Sequence, residues 1–232
     1  MDILYKEKYY KYKNKYLKLK KLIKIGGSIY KLILSDKNLK VYMKGDIIFL
    51  EDKEQYRLSE FNVKTFENYF SYAKNIIKIV DNYNYNLKKN KVLVLGFGIG
   101  GLPLKFTTYK DTDIVDSVDL DPNMYNLFNK IQKYLAEYPK EKMNNIIMSA
   151  EEYIIKTNKT NKKYDLIIDD VFGDDKIFLD YVGLAKILNK NGVLFINLHY
   201  MSDYKKLEPI LKNNFSSVDL IKDNEILVIC KK

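Results

Sequence analysis

Between Val92 and Gly101 the chain reads Val-Leu-Val-Leu-Gly-Phe-Gly-Ile-Gly-Gly, an apolar run that breaks into four glycines within six positions. A buried parallel strand that feeds a tight loop and then a helix has this pattern. Glycine is the residue for such a loop, because the turn needs positive φ and a ligand must come close to the backbone. Asp119 follows 23 positions after Gly96, at the end of a second apolar run through Ile114, Val115 and Val118. A glycine loop with a carboxylate about 20 residues on predicts an adenosine-containing cofactor whose ribose hydroxyls meet the acid.

From Lys91 onward the pattern alternates. Strands are predicted at about 91–96, 113–119, 145–149, 164–169, 192–198, 215–221 and 225–231. Helices are predicted at 101–109, 122–137, 150–157, 177–189 and 203–213. Pro122 fits a first helical turn, and Asn191-Gly192 reads as the stop of the helix before the fifth strand. The last two strands are joined only by Lys222, Asp223 and Asn224, too short for a parallel crossover, so they form an antiparallel hairpin. Upstream, short strands at 29–34, 41–43 and 47–50, with a turn at Lys44-Gly45-Asp46, form a small β region. A helix over 62–81 follows, carrying Phe66, Tyr69, Phe70, Ala73, Ile76, Ile77 and Val80 on one side. The fold expected is therefore α/β: a doubly wound, seven-stranded, Rossmann-like sheet with an antiparallel C-terminal hairpin, a small N-terminal β appendage and a basic helical leader. The corresponding divisions are 1–27, 28–60 and 61–232.

The net charge of +10 is concentrated in the leader. Residues 1–24 hold nine lysines against Asp2 and Glu7, a balance of +7, which leaves +3 for the following 208 residues. Tyr5, Tyr9, Tyr12, Tyr16, Leu19 and Ile23 make a helical stripe there, suited to an anionic surface or a partner. Arg57 is the only arginine. Arginine is the preferred reader of phosphates and bases, so nucleic-acid binding by the globular part is not expected. No run of 18 uncharged apolar residues suggests a transmembrane helix, and no secretory signal is visible. The single Cys230 sits in a late apolar run without metal-ligand companions, which fits a packed thiol in a reducing cytoplasm and no metal site.

The spacing Gly96, Gly98, Gly101 satisfies the nicotinamide-cofactor pattern as well. The terminal hairpin and the pair Asp169-Asp170 at the end of the fourth strand favour a sulfonium cofactor instead. A cationic sulfonium and an amine substrate both favour carboxylates there, whereas hydride transfer has no such need. Adjacent residues in a strand face opposite sides, so one of the pair belongs to a site. Asp174 and Asp175 read as a solvated helix start, the lone His199 as structural, and Tyr69 and Tyr72 as packing residues.

Four segments in this order, Val92–Pro103, Val118–Pro122, Tyr164–Asp174 and Gly192–Asn197, resemble the spermidine synthase-like branch of the class I S-adenosylmethionine-dependent transferases over about residues 38–230. The resemblance implies that Gly96, Gly98 and Gly100 wrap the amino-acid or aminopropyl part of S-adenosylmethionine or its decarboxylated form. It implies that Asp119 holds the ribose diol, with Asp121 as a neighbouring acid, and that Ser149-Ala150 contacts the adenine amino group. Asp170 falls on the carboxylate that helps deprotonate the attacking amine. The chain departs from the family where Ile99 replaces a loop Asp, Gly173 a second Asp, and Ser149 the adenine Asp. The expectation is thus methyl transfer to an amine-bearing acceptor, small molecule or protein. The alternatives are aminopropyl transfer forming a polyamine and a catalytically degenerate binding scaffold. A homodimer stays open.

Overall fold

A computed structural model describes residues 30–36, 38–82, 87–171, 179–198, 200–223 and 225–232. Four antiparallel strands come first: β1 (Lys31–Asp36), β2 (Leu39–Lys44), β3 (Ile47–Glu51) and β4 (Arg57–Asn62), paired in chain order. The turn at Gly45 has positive φ, as its place between β2 and β3 requires. Helix α1 (Ser71–Asp81) leads to β5 (Lys91–Leu95), α2 (Gly101–Thr107), β6 (Ile114–Asp119), α3 (Pro122–Ile131) and β7 (Met143–Ile147). Then come α4 (Ala150–Asn158), β8 (Tyr164–Asp169), α5 (Tyr181–Ile187), β9 (Leu188–Leu198), α6 (Met201–Asn214), β10 (Ser217–Lys222) and β11 (Ile226–Lys231).

The large sheet has the order β10-β11-β9-β8-β5-β6-β7. Strands β5 to β9 pair in parallel, whereas β11 runs antiparallel to both β9 and β10. The expected seven-stranded sheet and terminal hairpin are therefore present. Chain order reverses between β5 and β8. In an open α/β sheet, ligands bind in the crevice beyond the carboxyl ends of the strands at such a switch point.

Alternation along the strands decides what each face packs. Leu93, Leu95, Ile167 and Ile196 join Tyr153 and Ile154 of α4, Leu184 of α5 and Leu207 of α6. Val92, Val94, Leu166 and Ile168 join Tyr72 and Ile76 of α1 and Phe106 of α2. A third apolar cluster binds the small sheet to the glycine loop and helices α2 and α3: Val41, Ile48, Leu50 and Phe61 meet Phe97, Ile99, Leu104 and Phe128. Cys230 is buried on β11, and burial pushes its thiol up to about 12.

Three sequence expectations need correction. The helix expected over 62–81 begins only at Ser71, and Arg57–Asn62 is a fourth strand. Asn62 accepts the amides of Lys64 and Thr65, Phe66 has φ of 55°, and Asn68 bridges back to Phe61, so the segment turns instead of coiling. The helix expected over 122–137 ends at Ile131 in a short 3-10 turn. Asn191-Gly192 does not stop a helix. It lies inside β9, where Asn191 has φ of 66° and its amide bonds the Lys232 carbonyl, beside a register shift against β8. Among the described residues, no helix is long and apolar enough to cross a membrane. The leader 1–27, Gly173, Asp174, Asp175 and His199 lie outside the described residues.

Candidate active site

Gly96 and Asp170 meet backbone to backbone at the switch point. The Asp170 amide donates to the Leu95 carbonyl at 2.9 Å, extending the β5–β8 ladder by one residue, and the Gly96 amide donates to Val118 at 2.9 Å. A Cβ on Gly96 would lie 2.4 Å from the Asp170 carbonyl oxygen, and its φ is 91°. The glycine is thus demanded by the chain itself. At Gly98, with φ of 57°, the nearest neighbours of such a Cβ are Ser59 atoms at 3.5 Å, so that stretch of backbone is more open. Gly100 precedes α2 in a left-handed conformation. Between these glycines, Phe97 packs against Tyr125 and Phe128, and Ile99 is wholly buried against the small sheet.

Asp119 holds the loop in place. Its Oδ2 accepts the Phe97 amide at 2.8 Å and its Oδ1 the Asp121 amide at 2.9 Å. Burial pushes its carboxyl up, against amide bonds from Asp121, Phe97 and Gly98 that pull it down. A carboxylate offers about four acceptor sites, so beside its three amide bonds Asp119 keeps an acceptor position for a ribose hydroxyl, which fits the expected cofactor. Leu120, beside it, is 70% exposed on the same rim. Asp121 caps α3, accepting from the Asn123 amide at 2.9 Å and the Asn123 side chain at 2.6 Å. Ser149 caps α4 through the Glu152 amide at 3.2 Å. The preceding Met148 amide bonds the Asp119 carbonyl at 3.0 Å, bringing Ser149 and Ala150 to the same rim as Asp119.

The carboxylate pair divides as strand alternation requires. Asp169 turns to the α5 side and accepts from the Tyr181 hydroxyl at 2.7 Å, and burial pushes its carboxyl up to about 6. Asp170 turns to the α1 side, where it accepts from the Tyr72 hydroxyl and, at 2.9 Å, from the Asn197 side-chain amide. Burial pushes Asp170 up to about 7; Tyr72 and Asn197 pull it down, while Asp169 and Glu225 push it further up. The Tyr72 phenol is held far above its ordinary value by burial and the Asp170 charge, so it stays a donor. Among the described residues, Asn197 Oδ1 is buried with no hydrogen-bond partner. An acceptor left in that position suits an incoming N–H donor.

Tyr72 and Asn197 are the two site residues that sequence reasoning missed. Asn197 had a readable signal, a polar residue closing the apolar run Val193–Ile196 at the ligand rim. Tyr72 reads as a packing residue, which holds for its ring, while its hydroxyl reaches the site.

The spermine/spermidine synthase domain matches residues 69–219, more than half of the chain. The chain belongs to the spermine/spermidine synthase family. A polyamine aminopropyltransferase of Clostridium botulinum (strain Alaska E43 / Type E3) is 29% identical over 191 residues, covering 78% of this chain and 65% of that protein. The chain thus spans a little under two thirds of the length of that relative. A probable spermidine synthase from Corynebacterium glutamicum shares the fold at a TM-score of 0.66 and 15% identity, over 88% of this chain and 80% of that one. Human methyltransferase-like protein 13, in complex with SAH, shares it at 0.59 and 19% identity, over 70% and 82%. The family membership and these neighbours agree with the resemblance read from the four sequence segments.

Proposed function

We propose that this chain transfers an alkyl group from a sulfonium cofactor of the S-adenosylmethionine type to an amine, with Asp170 as the base. The observation that carries this reading is Asp170 itself: a carboxylate at the switch point, oriented by Tyr72 and Asn197, with its carboxyl raised to about 7. Gly96, Gly98, Gly100, Asp119, Asp121, Ser149 and Ala150 would receive the cofactor along the rim. The small sheet, β1 to β4, packs on the glycine loop of the transferase part. When bound, the cofactor supplies an electrophilic carbon whose C–S bond breaks, releasing a neutral thioether, as the amine nitrogen bonds to that carbon. An alkylamine has a pKa of about 10.4 and must lose a proton to attack. Asp170 accepts that proton, and a group poised near the working pH does so efficiently.

Of the two transfers, aminopropyl transfer from the decarboxylated cofactor to a polyamine-type acceptor ranks ahead of the methyl transfer first expected. The family and the aminopropyltransferase relatives support that order. One observation favours the methyl reading: Ile99 is sealed in apolar contacts where the family pattern has an acid.

The test is a transfer assay with S-adenosylmethionine and its decarboxylated form as donors against a panel of polyamines, with binding of each donor measured by calorimetry. The expected result is amine alkylation with thioether release, kcat/KM rising through about pH 7 as Asp170 deprotonates. Asp170→Asn is expected to cost about 100-fold or more in kcat. Wild-type rates in Asp170→Asn would remove the base assignment. Failure to bind either donor would favour a binding scaffold.

A further inference from the structure

The first turn of α1 needs a partner that its own sequence does not supply. Phe70 occupies its N-cap, no side chain there makes a capping bond, and no acid lies in the first turn. A helix start leaves four amides without intrahelical partners and gathers positive partial charge. The partner comes from the other end of the chain. Glu225 Oε2 accepts the Tyr72 amide at 3.3 Å and the Ser71 hydroxyl at 3.1 Å.

Topology explains how it gets there. Glu225 immediately precedes β11, whose antiparallel pairing sets Ile226 opposite Leu198 and Leu227 opposite Asn197. The β10–β11 link therefore returns to the rim where β9 delivers Asn197 and β8 delivers Asp170. Tyr72 is held at both ends, its backbone by Glu225 and its hydroxyl by Asp170.

We propose that Glu225 is a positioning residue: by clasping the first turn of α1 to the terminal hairpin, it keeps the Tyr72 hydroxyl on Asp170. This rests on the reading of Asp170 as the base. Among the described residues, the groups acting on Asp170 are Tyr72 from α1, Asn197 from β9, Asp169 from its own strand and Glu225 from the hairpin link. Gly96, against the Asp170 backbone, adds no side chain. Besides its hydrogen bonds, Glu225 contributes a negative charge that helps to keep Asp170 protonated. The two contributions separate by substitution. Glu225→Gln keeps an acceptor oxygen for Ser71 and Tyr72 but loses the charge, whereas Glu225→Ala loses both.

The experiment follows the Asp170 carboxyl carbon by NMR titration in the full chain, assigned with Asp170→Asn, together with kcat, KM and hydrogen exchange at the Tyr72 amide. In Glu225→Gln the Asp170 midpoint should fall below its value of about 7, because one of the charges that push it up is gone. Glu225→Ala should lose about tenfold in kcat with KM less affected, as expected for a misplaced base. Its Tyr72 amide should exchange faster, and Glu225→Gln should recover most of the kcat loss. Wild-type kcat and wild-type Tyr72 exchange in Glu225→Ala would overturn the clasp, and so would a Glu225→Gln variant no better than Glu225→Ala in either. If the wild type transfers nothing while the Glu225 variants still show the midpoint and exchange shifts, the clasp stands and the transfer reading is refuted.

Discussion

Residues 96–101 and 169–170 face each other across the gap between β5 and β8, but different forces hold them. On the loop side, Phe97 and Ile99 are packed into the seam with Phe61, Ile48 and Phe128. On the carboxylate side, polar groups hold one another: Asp169 with Tyr181, and Asp170 with Tyr72 and Asn197. Packing is sensitive to volume and charge, whereas a buried hydrogen-bonded carboxylate is sensitive to the loss of one donor. A change in the loop should therefore register first as stability, and a change beside Asp170 first as titration and rate.

The sharpest way to break this division is Gly96→Ala, because Gly96 is where the two sides touch. The added Cβ would meet the Asp170 carbonyl oxygen at 2.4 Å at a φ of 91°. Neither backbone can yield without breaking the Asp170–Leu95 or Gly96–Val118 bond. The expected cost is about 5 kcal/mol, in the range seen when a backbone clash joins a strained φ. Urea unfolding of the wild type and the variant measures it. A cost below about 1 kcal/mol would mean that the two strands can part at the switch point.

The next effect belongs to the loop alone. Ile99→Asp restores the acid of the family pattern, but into a wholly buried apolar seam. With no donor to pair it, the carboxyl should cost about 3 kcal/mol. Its pKa would rise on folding, so the folded state would bind the proton more tightly than the unfolded state does. Stability would then be best at about pH 4 and fall as pH rises through the raised folded value. Unfolding curves of the wild type and the variant at pH 4 and pH 8 test the sign, because Asp169 and Asp170 already shift the wild type between those values. An equal loss relative to the wild type at both would show that the small sheet can move aside and give position 99 access to a ligand. That result would also strengthen the aminopropyl reading over methyl transfer.

What could be read from the sequence follows the same division. Gly96, Asp119 and Asp170 each close an apolar strand at its carboxyl end, and local pattern is enough to find them. That rule also reaches Asn197. The terminal hairpin was legible because a three-residue link leaves no other geometry. The strand Arg57–Asn62 was not. Phe66, Tyr69, Phe70 and Ala73 happen to recur at helical spacing, although Phe66 lies in a turn set by Asn62 and by the Phe61–Asn68 bridge. Asn191-Gly192 looks like a helix stop because its partner, the Lys232 carbonyl, is distant in sequence. The joining of positions 72, 170, 197 and 225 likewise depends on strand order, which no local window contains.

The smallest effect sharpens the boundary between scaffold and site. Asp121 falls beside the cofactor acid in the family pattern, and here its carboxylate caps α3 through Asn123. Asp121→Ala removes that cap and should cost about 1 kcal/mol, or about 2–4 °C in Tm for a chain of this length. Asp121→Asn keeps a good capping side chain and removes the charge, so its Tm should stay within about 1 °C of the wild type. The same pair of variants, titrated with the sulfonium cofactor by calorimetry, then separates two roles. If both bind as the wild type does, Asp121 acts only by starting α3 and thereby setting the Asp119 loop. Weaker binding by Asp121→Asn at unchanged Tm would place its carboxylate in contact with the ligand, and the polar side of the switch point would then extend around the rim to α3.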